Sequence, residues 1–217
     1  MEDLIIIQDW QMSEAILWFV PIIAWGILGA IGGALIGGLI GSIWDKGNKI
    51  GMAVLGMKQS GKTTWYNHLT GDNRTSQTFD HVDIKEISLK FPGGKEAIIK
   101  EGKDIGGDEG NVSVYYREMI ENNEVVLFFF NAYDYLNDIK YQREVNGRLD
   151  YIKRHLGDRM LSYIMTYADK LPDRNGSLNE VLNVLKERDF FKMQKGYFLV
   201  NATDKNELEK LTTEIFK

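Results

Sequence analysis

The sequence predicts an α/β fold, in which a mostly parallel sheet carries helices on both faces and an N-terminal transmembrane helix precedes it. Three observations lead to this prediction. Short apolar runs alternate with helical stretches after about Lys46, a glycine-rich phosphate-binding motif follows the first of them, and Ala15 to Trp44 contain no charged residue. Strands that alternate with helices are typical of a parallel sheet covered on both faces.

Composition limits the classes of protein to consider. The chain has 217 residues, 44% of them hydrophobic, which is enough for one buried domain and an accessory segment. Its net charge of −5 argues against nonspecific nucleic-acid binding, which needs a basic surface. The lack of cysteine excludes disulfides, thiolate metal sites and a cysteine nucleophile. The histidines show no metal-ligand spacing, so surface or structural roles are expected for His68, His81 and His155.

The N-terminal region divides into a juxtamembrane segment, 1–14, a glycine-rich transmembrane segment, 15–44, and a linker, 45–49. About 20 apolar residues cross a bilayer as a helix, so the uncharged run suffices for one tilted or kinked span. A buried core helix is the alternative, but each glycine would weaken such a helix by about 1 kcal/mol. A cleaved signal peptide fits less well, because acidic rather than basic residues precede the run.

The charges that flank this span predict its orientation. Acidic residues precede it without any Lys or Arg, whereas Lys46, Lys49 and Lys58 follow it. Basic residues favour the cytoplasmic side, so we expect a single-pass integral membrane protein with its C-terminal domain in the cytoplasm. A glycine stripe permits close helix contact in the bilayer and hence a homo-oligomer, although membrane helices are rich in glycine in general. The stripe consists of Gly29, Gly33, Gly37 and Gly41.

The C-terminal domain, 50–217, contains the predicted sheet. Its strands are expected at Ile50–Leu55, Val82–Phe91, Glu96–Ile99, Val125–Phe130, Leu161–Met165 and Tyr197–Val200. Its helices are expected at Thr63–His68, Asn111–Ile120, Ile139–His155, Leu178–Arg188 and Glu207–Phe216. One connection differs from the others, because Pro92-Gly93-Gly94 is typical of a hairpin turn between antiparallel strands.

A phosphate-binding loop, or P-loop, follows the first predicted strand. The sequence GMKQSGKT matches G-x-x-x-x-G-K-[ST] at every fixed position. Its glycines let backbone N–H groups point at phosphate oxygens, and the next helix adds positive potential at its N-terminus. Lys62 should reach the β- and γ-phosphates, and the Thr63 hydroxyl should bind Mg²⁺. The predicted phosphate-binding residues are Gly56, Met57, Lys58, Gln59, Ser60, Gly61, Lys62, Thr63 and Thr64.

The stretch KDIGGDEG, Lys103 to Gly110, is either an exposed turn or a loop that senses a terminal phosphate. Asp104-Ile105-Gly106-Gly107 matches D-x-x-G, in which the Asp holds Mg²⁺ through water and the Gly N–H bonds the γ-phosphate. The pattern is weak alone, but its place downstream of a P-loop favours the second interpretation. We therefore expect Asp104 at the metal and Gly107 at the phosphate.

Four segments together resemble the small Ras-like GTPases. They are KDIGGDEG, VYYREMIENNEVVLFFFNAYD, MTYADKLPD and VNATDKNELEKL, and the double glycine is most similar to the Arf/Sar group. The resemblance covers Ile50 to Lys217. It implies a small GTPase-like P-loop domain that binds GTP or GDP with Mg²⁺ and hydrolyses GTP. With the N-terminal span, the layout also resembles the beta subunit of the signal-recognition-particle receptor, although layout alone does not establish that role.

The resemblance implies a guanine site in two later segments. The family pattern N-K-x-D corresponds here to Thr166, Tyr167 and Asp169, with Lys170 next to it. Asp169 keeps the acceptor for the N1 and N2 groups of guanine. Because Thr166 and Tyr167 replace the Asn and Lys of the pattern, it is open what anchors the phosphate-binding loop and what packs on the base. The Tyr167 ring can stack on the base instead of the lysine. In the last family motif a backbone N–H contacts the base oxygen, and the matching residues are Asn201, Ala202 and Thr203.

Two loop positions concern metal binding and hydrolysis. In the family, one threonine closes over Mg²⁺ and the γ-phosphate. Thr78 is our choice for this residue and Thr75 is the alternative. Both could instead be simple loop hydroxyls. Asp108 occupies the catalytic position, where the family has a glutamine that orients water. An ionised carboxylate cannot donate a hydrogen bond beside an anionic phosphate, so we expect slow hydrolysis. Either a partner supplies an arginine, or bound GTP serves mainly as a structural signal.

Two functional classes follow. The first is a membrane-anchored GTP/GDP switch that recruits or regulates a protein partner through its loops. The second is an oligomerising membrane effector or scaffold whose glycine-striped helix assembles under the control of nucleotide binding. An ATPase or nucleotide kinase is a third class, because Thr166 and Tyr167 depart from the guanine pattern. Asp169 and the lack of a basic lid argue against it.

Overall fold

The computed structural model describes residues 49–74, 81–90 and 96–216. Predicted features outside these residues are the transmembrane segment 15–44, Thr75, Thr78 and the hairpin turn at 92–94. Within the described residues, no helix is long and apolar enough to cross a membrane.

The described chain alternates between strands and helices. The strands are β1 (Met52–Gly56), β2 (His81–Ile84), β3 (Ile87–Lys90), β4 (Glu96–Ile99), β5 (Gly102–Ile105), β6 (Val125–Asn131), β7 (Met160–Thr166) and β8 (Gln194–Leu199). The α-helices are α1 (Lys62–Thr70), α2 (Glu109–Asn111), α3 (Arg117–Glu121), α4 (Ala132–Asn137), α5 (Ile139–Leu156), α6 (Arg174–Lys186) and α7 (Lys205–Ile215). A π-helical segment, Val112–Tyr116, joins α2 to α3, and 3₁₀ turns lie at Ala168–Lys170 and Asp189–Met193.

A four-stranded parallel sheet in the order β1-β6-β7-β8 lies at the centre, which confirms the predicted α/β fold class. Gly56 at the end of β1 pairs with Phe129 of β6, and Asn131 at the end of β6 pairs with Thr166 of β7. Parallel strands all end at one edge of the sheet. The loops that follow β1, β6 and β7 therefore meet at that edge.

Apolar cores cover both faces of this sheet. Successive side chains of a strand point to opposite faces, and in β6 Phe128 and Phe130 enter one core while Leu127 and Phe129 enter the other. Helices α5 and α6 contribute to the first core, and α1 and α7 to the second. The prediction of helices on both faces is confirmed.

The prediction of a single strand over Val82–Phe91 is wrong. The chain forms β2 and β3 here, which pair antiparallel with β5 and β4 respectively. Ile84 and Ile87 are both buried in the same core. Side chains three positions apart point to opposite faces of a continuous strand, so the backbone has to break at the exposed Lys85 and Glu86. The predicted antiparallel pairing across the hairpin is confirmed by β3 and β4.

Strand β5 lies outside the predicted strands, and it changes the place of Asp104. The segment Gly102–Ile105 has one large apolar residue and no alternation, yet it pairs with β2. It also lies beside β1, because the Cβ position of Gly102 is 3.9 Å from the carbonyl oxygen of Met52. Asp104 therefore stands within a strand instead of a loop, and the loop begins at Gly106.

Three helical segments also depart from the prediction. The predicted helix Asn111–Ile120 consists mainly of the π-helical segment Val112–Tyr116 and the start of α3. Helix α6 begins at Arg174, before the predicted start at Leu178, because the Asp173 carboxylate caps it by accepting from the N–H groups of Asn175 and Gly176. The short helix α4 was not predicted, and Asn131 caps it in the same manner.

Candidate functional site

The P-loop runs from the end of β1 into α1. Gly56 has a φ of +144°, and a Cβ atom there would lie 2.1 Å from the carbonyl oxygen of Phe129. Only glycine fits so close to β6. The loop then turns through left-handed backbone angles at Gln59 and Gly61, and Gly61 is the N-cap of α1. The first N–H groups of a helix have no partner within it, so this end of α1 can receive an anion.

Lys62 lies inside the P-loop with 5% of its surface exposed. Its Nζ donates to the carbonyl oxygens of Met57 at 2.7 Å and Gly56 at 3.3 Å. Burial lowers the pKa of Lys62 to about 8, partly opposed by the charge of Asp104. The ammonium group is thus held by neutral carbonyls in a place where an anion would stabilise its charge.

The predicted metal ligands Thr63 and Asp104 lie together. The Thr63 Oγ1 donates to Asp104 Oδ2 at 3.0 Å, and Arg74 Nη1 lies 3.4 Å from the same oxygen. Asp104 is fully buried. Hydroxyl and carboxylate oxygens are the ligands that Mg²⁺ prefers, so these two residues fit the predicted metal. Thr78, the third predicted ligand, lies outside the described residues.

The D-x-x-G loop rests directly on the P-loop. A Cβ atom on Gly107 would lie 2.2 Å from the backbone nitrogen of Lys58, so the two backbones meet at a distance that only glycine allows. The Gly106 carbonyl accepts from Asn111 Nδ2 at 2.9 Å. Because a trans peptide points its C=O and N–H in opposite directions, this bond turns the Gly107 N–H away from Asn111.

A buried arginine connects the two loops. Arg148 comes from α5 and has 7% of its surface exposed. Its Nη2 donates to the Gly107 carbonyl at 2.8 Å, and its Nη1 donates to the Gly56 carbonyl at 3.2 Å. The Tyr116 hydroxyl, at the end of the π-helical segment, bonds both the N–H and the carbonyl of Gly56. Sequence reasoning missed Arg148, Tyr116 and Arg74. One signal was available, since Arg148 has helical spacing to the apolar positions Val145 and Ile152.

The two residues at the first positions of the N-K-x-D pattern, Thr166 and Tyr167, hold the P-loop from the other side. The Thr166 hydroxyl lies 3.2 Å from the Ser60 carbonyl and 3.1 Å from the Phe130 carbonyl. The Tyr167 hydroxyl donates to the Gln59 carbonyl at 3.0 Å. The Lys170 ammonium lies 4.5 Å from the centre of the Tyr167 ring. These contacts answer what anchors the loop, whereas stacking of Tyr167 on a base stays a prediction.

The loop after β8 has its own fixed geometry. The Asn201 side-chain oxygen accepts from the N–H and the hydroxyl of Thr203, at 3.0 and 2.8 Å. The Asn201 N–H donates to Glu207, whose carboxylate also pairs with Arg174. The hydrogen bond from Arg174 lowers the pKa of Glu207. This pair holds the loop in place beside the P-loop, where Ala202 approaches Gly61.

A cavity of about 620 Å³ brings most of the predicted site residues together. Its wall contains Lys58 to Thr64 of the P-loop, and Gly107 on one side. The base-recognition candidates in its wall are Tyr167, Asp169, Asn201, Ala202 and Thr203. Five other predicted residues are outside that wall: Gly56, Met57, Asp104, Thr166 and Lys170. The first four contact residues of the wall from behind.

Asp108 is not in the wall of this cavity. It lines a second cavity of about 560 Å³, together with Arg148. Its Oδ1 accepts from Lys58 Nζ at 3.1 Å in an ion pair whose side chains are 42% and 47% exposed. The catalytic role of Asp108 therefore stays a prediction.

The chain is similar to known proteins in its fold and not in its sequence. No protein-family model matches the chain, and no curated protein matches it in sequence. The crystal structure of a bacterial selenocysteine-specific elongation factor, EF-Sec, is similar with a TM-score of 0.55 and 17% identity, over 77% of this chain and only 28% of that one. The Arl6 (BBS3) small GTPase from Trypanosoma brucei, with a bound nucleotide analogue GppNp, has a TM-score of 0.59 and 14% identity, over 77% of this chain and 95% of that one. The chain has a small GTPase-like fold.

Replacement of Thr166 by valine should weaken the support of the P-loop. Valine keeps the shape but removes the hydroxyl, and buried carbonyls that lose a donor cost about 1–3 kcal/mol. We expect the free energy of unfolding of the full chain, measured by urea titration, to fall by that amount. Thr166→Ser retains the hydroxyl and should lose clearly less. Equal losses in both variants would mean that packing of the methyl group, and not the hydrogen bond, matters here.

Proposed function

We propose that this chain is a membrane-anchored GTP-binding protein that acts as a GTP/GDP switch. One observation carries the nucleotide part of this proposal. Lys62, Thr63 and Asp169 line a single cavity, and the buried Asp104 accepts a hydrogen bond from Thr63 behind its wall, although these residues come from three separate parts of the chain. This arrangement suits a nucleoside polyphosphate, with its phosphates at the P-loop and its base near Asp169. The nucleotide analogue bound to the similar Arl6 structure supports the same choice of ligand.

Different residues bind different parts of the nucleotide. Lys62 exchanges two neutral carbonyl contacts for phosphate oxygens, which stabilise its charge better. Gly107 offers its N–H to the terminal phosphate. Asp169 accepts from the N1 and N2 groups of guanine, while the Ala202 N–H bonds the base oxygen. Mg²⁺, which Thr63 and Asp104 would hold, neutralises phosphate charge when it is bound.

Membrane anchoring and partner recruitment complete the proposal. The uncharged, glycine-rich segment 15–44 supports a single span, and the basic residues after it support a cytoplasmic nucleotide domain. Loss of the terminal phosphate would release the chain from Asp108 onward and the segment around Thr78, so these two segments form the surface that a protein partner would recognise. The alternative is a scaffold that assembles through its glycine stripe under nucleotide control.

Slow hydrolysis is the third part of the proposal. Asp108 follows Gly107 and is held by Lys58 outside the wall of the nucleotide cavity. A carboxylate near the γ-phosphate adds negative charge and donates no hydrogen bond while ionised. We therefore assign GTP hydrolysis a slow rate in the isolated protein.

Nucleotide identity is the first test. The full chain in mild detergent should bind GTP and GDP more tightly than ATP in equilibrium titrations. Asp169→Ala should weaken GTP binding by roughly 10- to 100-fold, since hydrogen bonds to a charged group are lost, and should leave ATP binding nearly unchanged. Tight ATP binding without GTP binding would favour the ATPase or kinase class instead.

Hydrolysis is the second test. In single-turnover assays with saturating GTP, we expect Asp108→Gln to hydrolyse GTP at least about tenfold faster than the wild type, because the amide can donate a hydrogen bond to the reacting groups. Asp108→Glu keeps the negative charge and should remain slow. Fast turnover by the wild type, with no change in Asp108→Gln, contradicts this role.

Membrane association and assembly are the third test. The full chain should stay with membranes through alkaline carbonate extraction, while a variant that lacks residues 15–44 should be released. If the protein is a switch, size-exclusion chromatography in detergent should give the same particle size with GDP and with a nonhydrolysable GTP analogue. Large assemblies that form with only one nucleotide would favour the scaffold.

A further inference from the structure

Asp104 has a cationic neighbour that the function described so far does not use. Arg74 follows α1, and its Nη1 lies 3.4 Å from Asp104 Oδ2, the same oxygen that accepts from Thr63. Lys62 also acts on Asp104 through its charge. Of these two cations, Arg74 is the one that contacts the carboxylate directly in the part of the chain that the structure describes.

Two contacts with α1 hold Arg74 in this place. Its Nε donates to Asn67 Oδ1 at 3.2 Å, and Asn67 Nδ2 donates to the Arg74 carbonyl at 2.6 Å. Only 23% of the Arg74 side chain is exposed. Its guanidinium is therefore positioned by the helix that follows the P-loop and is not a solvated surface group.

The charge of Asp104 explains why a cation is needed here. A fully buried carboxylate is strongly destabilising unless an opposite charge lies beside it. A guanidinium at Oδ2 supplies that charge without any metal. The contact of 3.4 Å is longer than the 2.7–2.9 Å of a tight charge-assisted bond, so Arg74 can be displaced.

Arg74 and a divalent ion would compete for the same carboxylate. Thr63 and Asp104 are the residues that fit Mg²⁺, and two cations next to one oxygen repel each other. Arg74 also lies in the wall of the nucleotide cavity. Its Nη2 is buried and has no hydrogen-bond partner among the residues that the structure describes. An oxygen-rich ligand in the cavity would provide an acceptor for this N–H group.

We propose that Arg74 is the resident counter-ion of Asp104, that Mg²⁺ replaces it there, and that the displaced guanidinium contacts the phosphates of the nucleotide. The second half of this proposal rests on the proposed nucleotide binding. Arg74 then partly substitutes for Mg²⁺ when the metal is scarce. It also gives the chain an arginine of its own at the phosphates, in addition to any that a partner supplies.

The metal alone tests the first half. In the nucleotide-free full chain, MgCl₂ should change the melting temperature of the wild type little, because Arg74 already balances Asp104. Arg74→Gln should melt lower and should recover by about 3 °C or more with millimolar MgCl₂. Arg117→Gln is the matched control and should respond like the wild type, because Arg117 is exposed and pairs with Glu121 within its own helix, away from Asp104. An equal response to MgCl₂ in all three proteins overturns the proposal.

The nucleotide tests the second half. MgCl₂ should increase the affinity for GDP or GTP in both proteins. The factor of increase should be at least about fivefold larger in Arg74→Gln than in the wild type, because the variant has no substitute for the metal. An unchanged ratio overturns this half. If the wild type binds no nucleotide, the proposed function fails, while the melting experiment still decides the role of Arg74 at Asp104.

A double variant covers the case in which Arg74→Gln does not fold without metal. Asp104→Asn removes the buried charge, so Arg74→Gln should cost little further stability in that background. The proposal is wrong if Arg74→Gln lowers the melting temperature by the same amount in the wild type and in the Asp104→Asn variant, because residues 74 and 104 are then not coupled.

Discussion

The site depends on one backbone carbonyl, that of Gly56, at the carboxyl end of β1. Three donors converge on it: Lys62 Nζ at 3.3 Å, the Tyr116 hydroxyl at 3.2 Å and Arg148 Nη1 at 3.2 Å. Two of them are buried cations, and the charge of Arg148 contributes to the lowered pKa of Lys62. The P-loop is thus a buried region of positive charge that neutral oxygens and the charge of Asp104 only partly stabilise. An anion in the cavity would relieve this cost, which is the physical reason for proposing a phosphate ligand.

The parallel sheet makes this convergence possible. Because β1, β6 and β7 end at the same edge, a single hydroxyl at the end of β7 can lie beside carbonyls of both β6 and the P-loop. A threonine suffices at the end of β7, since what the P-loop needs there is a buried hydrogen-bond donor. Register, rather than residue type, determines which side chain can reach the P-loop.

The sequence predicted the parts of the fold that are local or periodic. The P-loop follows from its letters, and α5 follows from its apolar spacing, because both depend on neighbours in the chain. The break between β2 and β3 does not, since it arises from the burial of Ile84 and Ile87 in one core. Arg74 and Arg148 were missed for a similar reason. An arginine is normally a surface residue. The apolar spacing around Arg148 indicates its burial but not its acceptor, and only the tertiary contacts with Asp104 and Gly107 identify what these two arginines do.

The contacts of the D-x-x-G loop indicate which part of it can respond to a ligand. Arg148 Nη2 holds the Gly107 carbonyl inside the protein at 2.8 Å, and loss of this bond would leave a buried charged N–H group without this acceptor. Lys58 holds Asp108 at 3.1 Å in a half-exposed pair, which solvent and salt weaken. Gly107 links these two contacts, and its close packing on the P-loop and the bond to its carbonyl hold it in place. We therefore expect a terminal phosphate to rearrange the chain from Asp108 onward, while Gly107 and the buried side of the loop keep their place on the P-loop.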